Sequence, residues 1–273
     1  MKNFIKLIVP AVLAVLVFLT VIPEPASAQI PEPNAAGVAT GHVHLNVTDV
    51  ARHTAIWISL GAKLIPAGRL QLLTFPGMIF LLTERTPTAP SGETTVNHVG
   101  FLVHDYEDIH SKLAATGATF VLENTEAGQL IASLPDGTQV EMQQSAEIQH
   151  PIEFHHIHLA ASDQEGLRDW YVKVFGAEAS SRRDMPSAVV PGGRVDIMDL
   201  RTEAAPKPTR GTAIDHIGFE VADLHAFLDT IKAQGIKIDL GPIDAPALGL
   251  RVAFITDPVG TYIELTEGLD NLD

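Results

Sequence analysis

One short phrase, opening with histidine, occurs four times in this chain of 273 residues and dictates how it can be organised. His42-Val43-His44-Leu45 leads to Asp49, and His98-Val99-Gly100-Phe101 to Asp105. His156-Ile157-His158-Leu159 leads to Asp163, and His216-Ile217-Gly218-Phe219 to Asp223. Each Asp lies seven residues after its His, and the histidines are 56, 58 and 60 residues apart. A period of this length marks a repeated supersecondary unit. The phrase alternates as a short strand does. The Asp is then an N-cap, because its carboxylate can accept a free backbone N–H of the first helical turn. Leu224, Phe227, Leu228 and Ile231 fall on one helical face. Gly61, Gly117, Gly176 and Gly235 follow the Asp by 12, 12, 13 and 12 residues, as helix stops.

Strand-like runs come next: Leu70–Phe75 and Met78–Thr83; then Phe120–Glu123, Leu130–Leu134 and Gln139–Gln143. In the last copy they are Ile236–Leu240, Leu250–Thr256 and Tyr262–Thr266. The predicted unit is therefore βαβββ. Pro135-Asp136-Gly137-Thr138 and Asp257-Pro258-Val259-Gly260 read as turns, each leading into a strand that carries a glutamate, Glu141 or Glu264.

Residues 1–28 read as a secretory signal peptide: Lys2 and Lys6, a mostly apolar run from Leu7 to Ile22, then Ala26-Ser27-Ala28 as the cleavage site. A secreted or periplasmic protein is expected, with no stable membrane association after cleavage at Ala28. Residues 29–39, rich in Pro and small residues, read as a flexible lead-in. The chain has no cysteine, which excludes disulfides, thiol nucleophiles and Cys-ligated zinc. Its formal charge of −15 excludes nucleic acid as a partner and leaves a small molecule. No GxSxG, P-loop, HExxH or GxGxxG motif supports nucleophilic hydrolysis, nucleotide hydrolysis or dinucleotide chemistry.

A βαβββ unit used in pairs, with His on the first strand and Glu on the last, resembles the vicinal oxygen chelate superfamily. That superfamily includes glyoxalase I, extradiol ring-cleavage dioxygenases, and bleomycin and fosfomycin resistance proteins. The resemblance covers nearly all of residues 40–268. It implies an α+β fold of two tandem domains, 40–145 and 152–268, each of two paired βαβββ units forming a cupped mixed sheet. A linker is then expected at 146–151 and a tail at 269–273. The resemblance also implies a divalent metal ion (Fe, Mn, Zn or Ni) held in each cup. The ligands would be His42, His98 and Glu141 in the first domain and His156, His216 and Glu264 in the second. His44 and His158 lie two residues beyond a ligand and share its strand face. They are candidate catalytic groups, as general acid/base or as hydrogen-bond donors to substrate. His155 should point to the opposite face and be structural. His53, His104, His110, His150 and His225 should be solvated.

The pattern departs from the superfamily in two places. Glyoxalase-like sites have a fourth ligand, a Glu, on the last strand of the first unit; the matching count lands on Phe80 and Met198, with Asp196 as a possible substitute. The extradiol signature expects a Tyr where Phe254 stands. The expected function is an exported metal-dependent enzyme acting on a small oxygen-rich substrate through a 2-His-1-Glu site. An extradiol-type dioxygenase, a non-catalytic sequestering protein and a glyoxalase-type lyase or isomerase stay open as alternatives. The second domain, with Asp196 and the fuller turn at Asp257, is expected to hold metal more tightly.

Overall fold

The computed structural model describes residues 30–67, 70–200 and 204–272; the predicted signal peptide lies outside them. Unit one is β1 (Val38–Val47), α1 (Val50–Leu60), β2 (Lys63–Ala67), β3 (Leu70–Phe75) and β4 (Met78–Glu84). Unit two is β5 (Val96–Val103), α2 (Tyr106–Thr116), β6 (Thr119–Asn124), β7 (Gln129–Ser133) and β8 (Gln139–Gln144). Unit three is β9 (Ile152–Ala160), α3 (Gln164–Phe175), β10 (Glu178–Arg182), β11 (Met185–Val190) and β12 (Gly193–Met198). Unit four is β13 (Ile214–Val221), α4 (Leu224–Ala233), β14 (Leu240–Ala245), β15 (Leu250–Thr256) and β16 (Tyr262–Glu267).

Local chemistry fixes the helices as expected. The carboxylates of Asp49, Asp105, Asp163 and Asp223 each accept the backbone N–H three residues on. Gly61, Gly117 and Gly176 take left-handed conformations where α1, α2 and α3 end. In unit four the expected strand starts later, at Leu240. Residues 236–239 are not strand, and Ile236 and Ile238 pack against the core.

The α+β class and the two cupped sheets stand, but the units that share a sheet are not consecutive. One eight-stranded sheet runs β14-β15-β16-β13-β1-β4-β3-β2 and joins units four and one. The other runs β10-β11-β12-β9-β5-β8-β7-β6 and joins units three and two. The expectation that 40–145 and 152–268 each close a sheet is thereby corrected: β1 pairs antiparallel with β13, and β5 with β9.

Consecutive units instead meet back to back, on the convex faces of the sheets. Trp57, Phe75 and Phe80 of unit one pack on Phe101 of unit two. Tyr171 and Phe175 of unit three pack on Phe219 of unit four, and Phe175 also on Phe227. The two predicted turns clamp this junction. Asp136 accepts the Thr48 amide at 2.8 Å and lies 3.0 Å from His53 Nε2. Asp257 accepts from the Tyr171 hydroxyl at 3.1 Å. His53 is thus buried in a clamp, not solvated.

The lead-in and the tail are both built into the fold. Asn34 Nδ2 donates to the carbonyls of Phe175 and Gly176, closing the end of α3. Leu269 and Leu272 are buried with Leu72 and Ile79. Ile79 lies opposite His42, and Leu72 opposite Leu81, which itself faces His44. The C-terminal turn therefore packs into the hollow of the first sheet. Glu220, on β13, pins it by accepting the amides of Gly268 and Leu269.

Two predictions follow from this architecture. Residues 90–200 hold both units of one sheet and should fold as a monomer. Residues 40–145 keep β1 beside β4 and β5 beside β8 but leave the other edge of each unpaired, and should elute as a dimer or aggregate in size-exclusion chromatography; a folded monomer would contradict the crossed pairing. The second concerns Glu220, whose carboxyl is pushed up to about 7, first by burial and then by Asp270 and Glu267, against the two amides. Its proton is held in folded and unfolded chains alike below about pH 4.5. Between there and 7 the unfolded chain releases it first, so stability falls as pH rises, by at most ~3 kcal/mol. Glu220→Gln keeps an acceptor and cannot ionise, so its melting temperature should fall less over that range; parallel profiles would refute the assignment.

Candidate metal centres

Each first-strand histidine is preceded by a residue that the partner strand does not match. In the pairing of β1 with β13, Gly41 and Asp215 are the extra residues; in that of β5 with β9, they are Asn97 and His155. Such bulges interrupt the alternation of faces. Neighbouring side chains, which a regular strand would send to opposite sides, can then touch. Asp215 Oδ1 lies 2.7 Å from His216 Nδ1, Asn97 Oδ1 2.8 Å from His98 Nδ1, and His155 Nδ1 2.9 Å from His156 Nδ1. His155, expected on the opposite face, is thus a partner of His156. Gly41 has no side chain, and His42 Nδ1 has no partner. Strand alternation alone gives no signal for Asp215, Asn97 or His155 in these roles.

Centre one gathers His42, His216 and Glu264. Glu264 Oε2 lies 3.5 Å from His42 Nε2 and 3.0 Å from His216 Nε2. Asp215 also accepts from Asn46 Nδ2 at 3.0 Å and the Gly211 amide at 2.8 Å. Burial alone would raise the Asp215 carboxyl, but His216 and these donors bring it down to about 2. The same competition holds Glu264 well below the usual carboxylate range: burial opposes ionisation, and His42 and His216 outweigh it. His216 is raised, since Asp215 and Glu264 overcome its burial.

Centre two gathers His98, His156, His158 and Glu141, all buried. Glu141 Oε2 lies 3.0 Å from His98 Nε2, 3.4 Å from His156 Nε2 and 3.8 Å from His158 Nδ1. Its other oxygen accepts from Gln129 at 2.9 Å and lies 3.7 Å from Arg182 Nη2. Burial pushes Glu141 up, and His156 and His98 pull it far below the ordinary range.

The six predicted ligands therefore come together, but with exchanged partners: His42 joins His216 and Glu264, while His156 joins His98 and Glu141. Gly100 and Gly218 allow it. A Cβ on Gly100 would strike the His156 imidazole, and one on Gly218 the His42 imidazole. His44 stays apart, with Nε2 2.7 Å from Thr83 Oγ1. Burial, then His216 and His42, lower its pKa to about 3, so it is neutral near pH 7. Asp196 faces the second cup, but Ser187, Arg194 and Arg182 occupy its oxygens. Phe80 pairs with Val43 and packs on Trp57 in the core, so the residues beside His42 and His44 are Ile79 and Leu81.

These donor sets fit a divalent cation. Asp215 holds His216 through Nδ1 and so points Nε2 at the Glu264 carboxylate, 3.0 Å away. The buried Nε2 atoms of His42, His156 and His216 make no hydrogen bond. Imidazole and carboxylate are the donors that first-row divalent ions take, and a neighbour that fixes the outer ring nitrogen is the usual support for such a ligand.

Comparison with known proteins agrees with this geometry. A model of the glyoxalase/bleomycin resistance protein/dioxygenase superfamily matches residues 153–265. That stretch belongs to the superfamily. It spans units three and four, and so half of each sheet. Glyoxalase I from Zea mays is similar over 86% of this chain and 94% of its own, with a TM-score of 0.66 and 18% identity. A putative dioxygenase from Bacillus subtilis is similar over 84% of each chain, with a TM-score of 0.63 and 13% identity. At these identities the likeness shows the vicinal oxygen chelate fold. No curated protein matches the chain.

The glycine at the second position after a vicinal-oxygen-chelate histidine offers a direct test. Gly218→Ala should drive the His42 ring out of centre one and leave centre two alone. Metal analysis should then give one ion per chain, against two for the unaltered protein; two ions in the variant would show that His42 is not a ligand.

Proposed function

We propose that the chain is a metal-dependent enzyme acting on a small substrate with adjacent oxygens, and that centre two is the working site. The observation that carries this is a cavity of about 800 Å³ whose lining includes His98, Glu141, His158, Gln129, Arg182 and Met198. That volume suits a small molecule. The hollow beside centre one is filled by Leu269 and Leu272 against Leu72 and Ile79. This choice differs from the sequence argument, which favoured the centre containing His216.

A bound ion would supply Lewis acidity to two neighbouring substrate oxygens. The protein's own residues do the rest. Gln129 orients Glu141, and Asn97 and His155 orient His98 and His156. Arg182 offers a guanidinium beside Glu141 for a negatively charged oxygen of the substrate. Val121 and Leu122 line the cavity while exposed, giving an apolar body a place to rest. A secreted or periplasmic location, inferred from the leader, belongs to this proposal.

The test uses a panel of catechols, 2-oxo acids and 2-hydroxy ketones. Each is titrated by calorimetry into stripped and metal-loaded protein, with product analysis by mass spectrometry. Metal-dependent binding with turnover is expected; equal affinity in both forms without product would favour a sequestering protein. His98→Ala should reduce binding and turnover of the responding compound more than a hundredfold, since it removes a ligand and not merely a ligand's support. His216→Ala should leave them within about threefold, as the sites are separate. The reverse result would move the working site to centre one.

A further inference from the structure

The two centres descend from the same repeated phrase, yet His44 and His158, which hold the same place in it, do different things. His158 Nδ1 is 2.6 Å from His98 Nε2 and 3.8 Å from Glu141 Oε2. All four donor atoms of centre two lie within 4.8 Å of one another. Donors about 2.1 Å from a common ion sit roughly 3.0 Å apart at right angles and roughly 4.2 Å apart across it. The separations of 3.0, 3.4 and 3.8 Å fall in that range, and that of 2.6 Å lies below its lower end. Two neutral imidazoles at 2.6 Å, with a carboxylate beside them, are closer than an N–H···N contact requires.

The neighbouring strand accounts for the difference. In sheet one, Thr83 lies opposite Asn46, two residues beyond His44, and its hydroxyl holds the His44 ring. In sheet two, Met198 lies opposite Ala160, two residues beyond His158. A thioether is a poor hydrogen-bond acceptor, so nothing at that position draws His158 away from the centre. Meanwhile Asp196, the nearby carboxylate, is fully engaged by Ser187, Arg194 and Arg182.

We propose that His158 binds the ion of centre two through Nδ1 as a fourth protein donor, and that centre one remains a three-donor site. The inference rests on the reading of centre two as a metal site. Its consequence is a pair of unequal ions in one chain. An octahedral ion in centre two would keep two open positions, as many as a substrate with two adjacent oxygens fills, whereas one in centre one would keep three.

The experiment uses full-length mature protein carrying His216→Ala, so that only centre two is loaded with Co²⁺. Affinity is measured by competition with a chelator, and imidazoles around the ion are counted by X-ray absorption. Three imidazoles are expected. Adding His158→Gln should leave two and weaken the ion at least tenfold. Adding His44→Gln should change neither value by more than about twofold. Met198→Thr gives a second route: a hydroxyl in the Thr83 position should capture His158 and lower the count without deleting the ligand. Circular dichroism confirms that each variant is folded. Two imidazoles in the His216→Ala parent, or an unchanged affinity in His158→Gln, overturns the fourth donor alone. A parent that binds no ion overturns the reading of the centre as well.

Discussion

The antiparallel pairing of first strands, β1 with β13 and β5 with β9, is the contact on which both centres depend. It sets an imidazole from one unit across a glycine of the other. It also brings in the carboxylate, because β16 and β8 run parallel beside β13 and β5, with Glu264 opposite Gly218 and Glu141 opposite Gly100. The single extra residue beside each histidine completes the arrangement by turning a neighbouring side chain toward the outer ring nitrogen. Remove the bulges, and Asp215, Asn97 and His155 would face away from the rings they orient.

Burial makes these sites electrostatically demanding. A carboxylate removed from water is costly unless charge or hydrogen bonds compensate it. Centre two answers partly from within, through Gln129 and Arg182 at one oxygen of Glu141. Centre one has two carboxylates, Glu264 and Asp215, on either side of His216. The same ion would therefore meet different charge balances in the two cups, before any difference in donor number.

Much of the fold was legible because it is written locally. An Asp cap, a helical stripe and a terminal glycine at constant spacing need no tertiary knowledge. The six candidate ligands were legible for the same reason, as repeated residues at equivalent positions. The choice of partners was not. The four phrases are of two kinds, His-x-His in units one and three, and His-x-Gly followed by a Glu-bearing strand in units two and four. A cup needs one of each, and either neighbour satisfies that rule. What distinguishes the alternatives is packing on the convex faces, where Trp57 meets Phe101 and Phe175 meets Phe219. Alternation misplaces His155 because a bulge interrupts it. Leu269 and Leu272 read as a tail because the five residues 269–273 are too few to carry a periodic signal.

The crossed pairing also nests one sheet inside the other along the chain. Units two and three are adjacent, so β5 and β9 can meet by closing a loop within a continuous segment. Val38 and Val221, by contrast, are paired across 183 residues of sequence. Closure entropy grows only as the logarithm of loop length, but non-local strand pairing is what slows folding. Once the inner sheet exists, it draws the outer strands together and shortens the loop they must close. The inner cup, which holds the open cavity, is thus the part of the molecule that can form without waiting for either terminus.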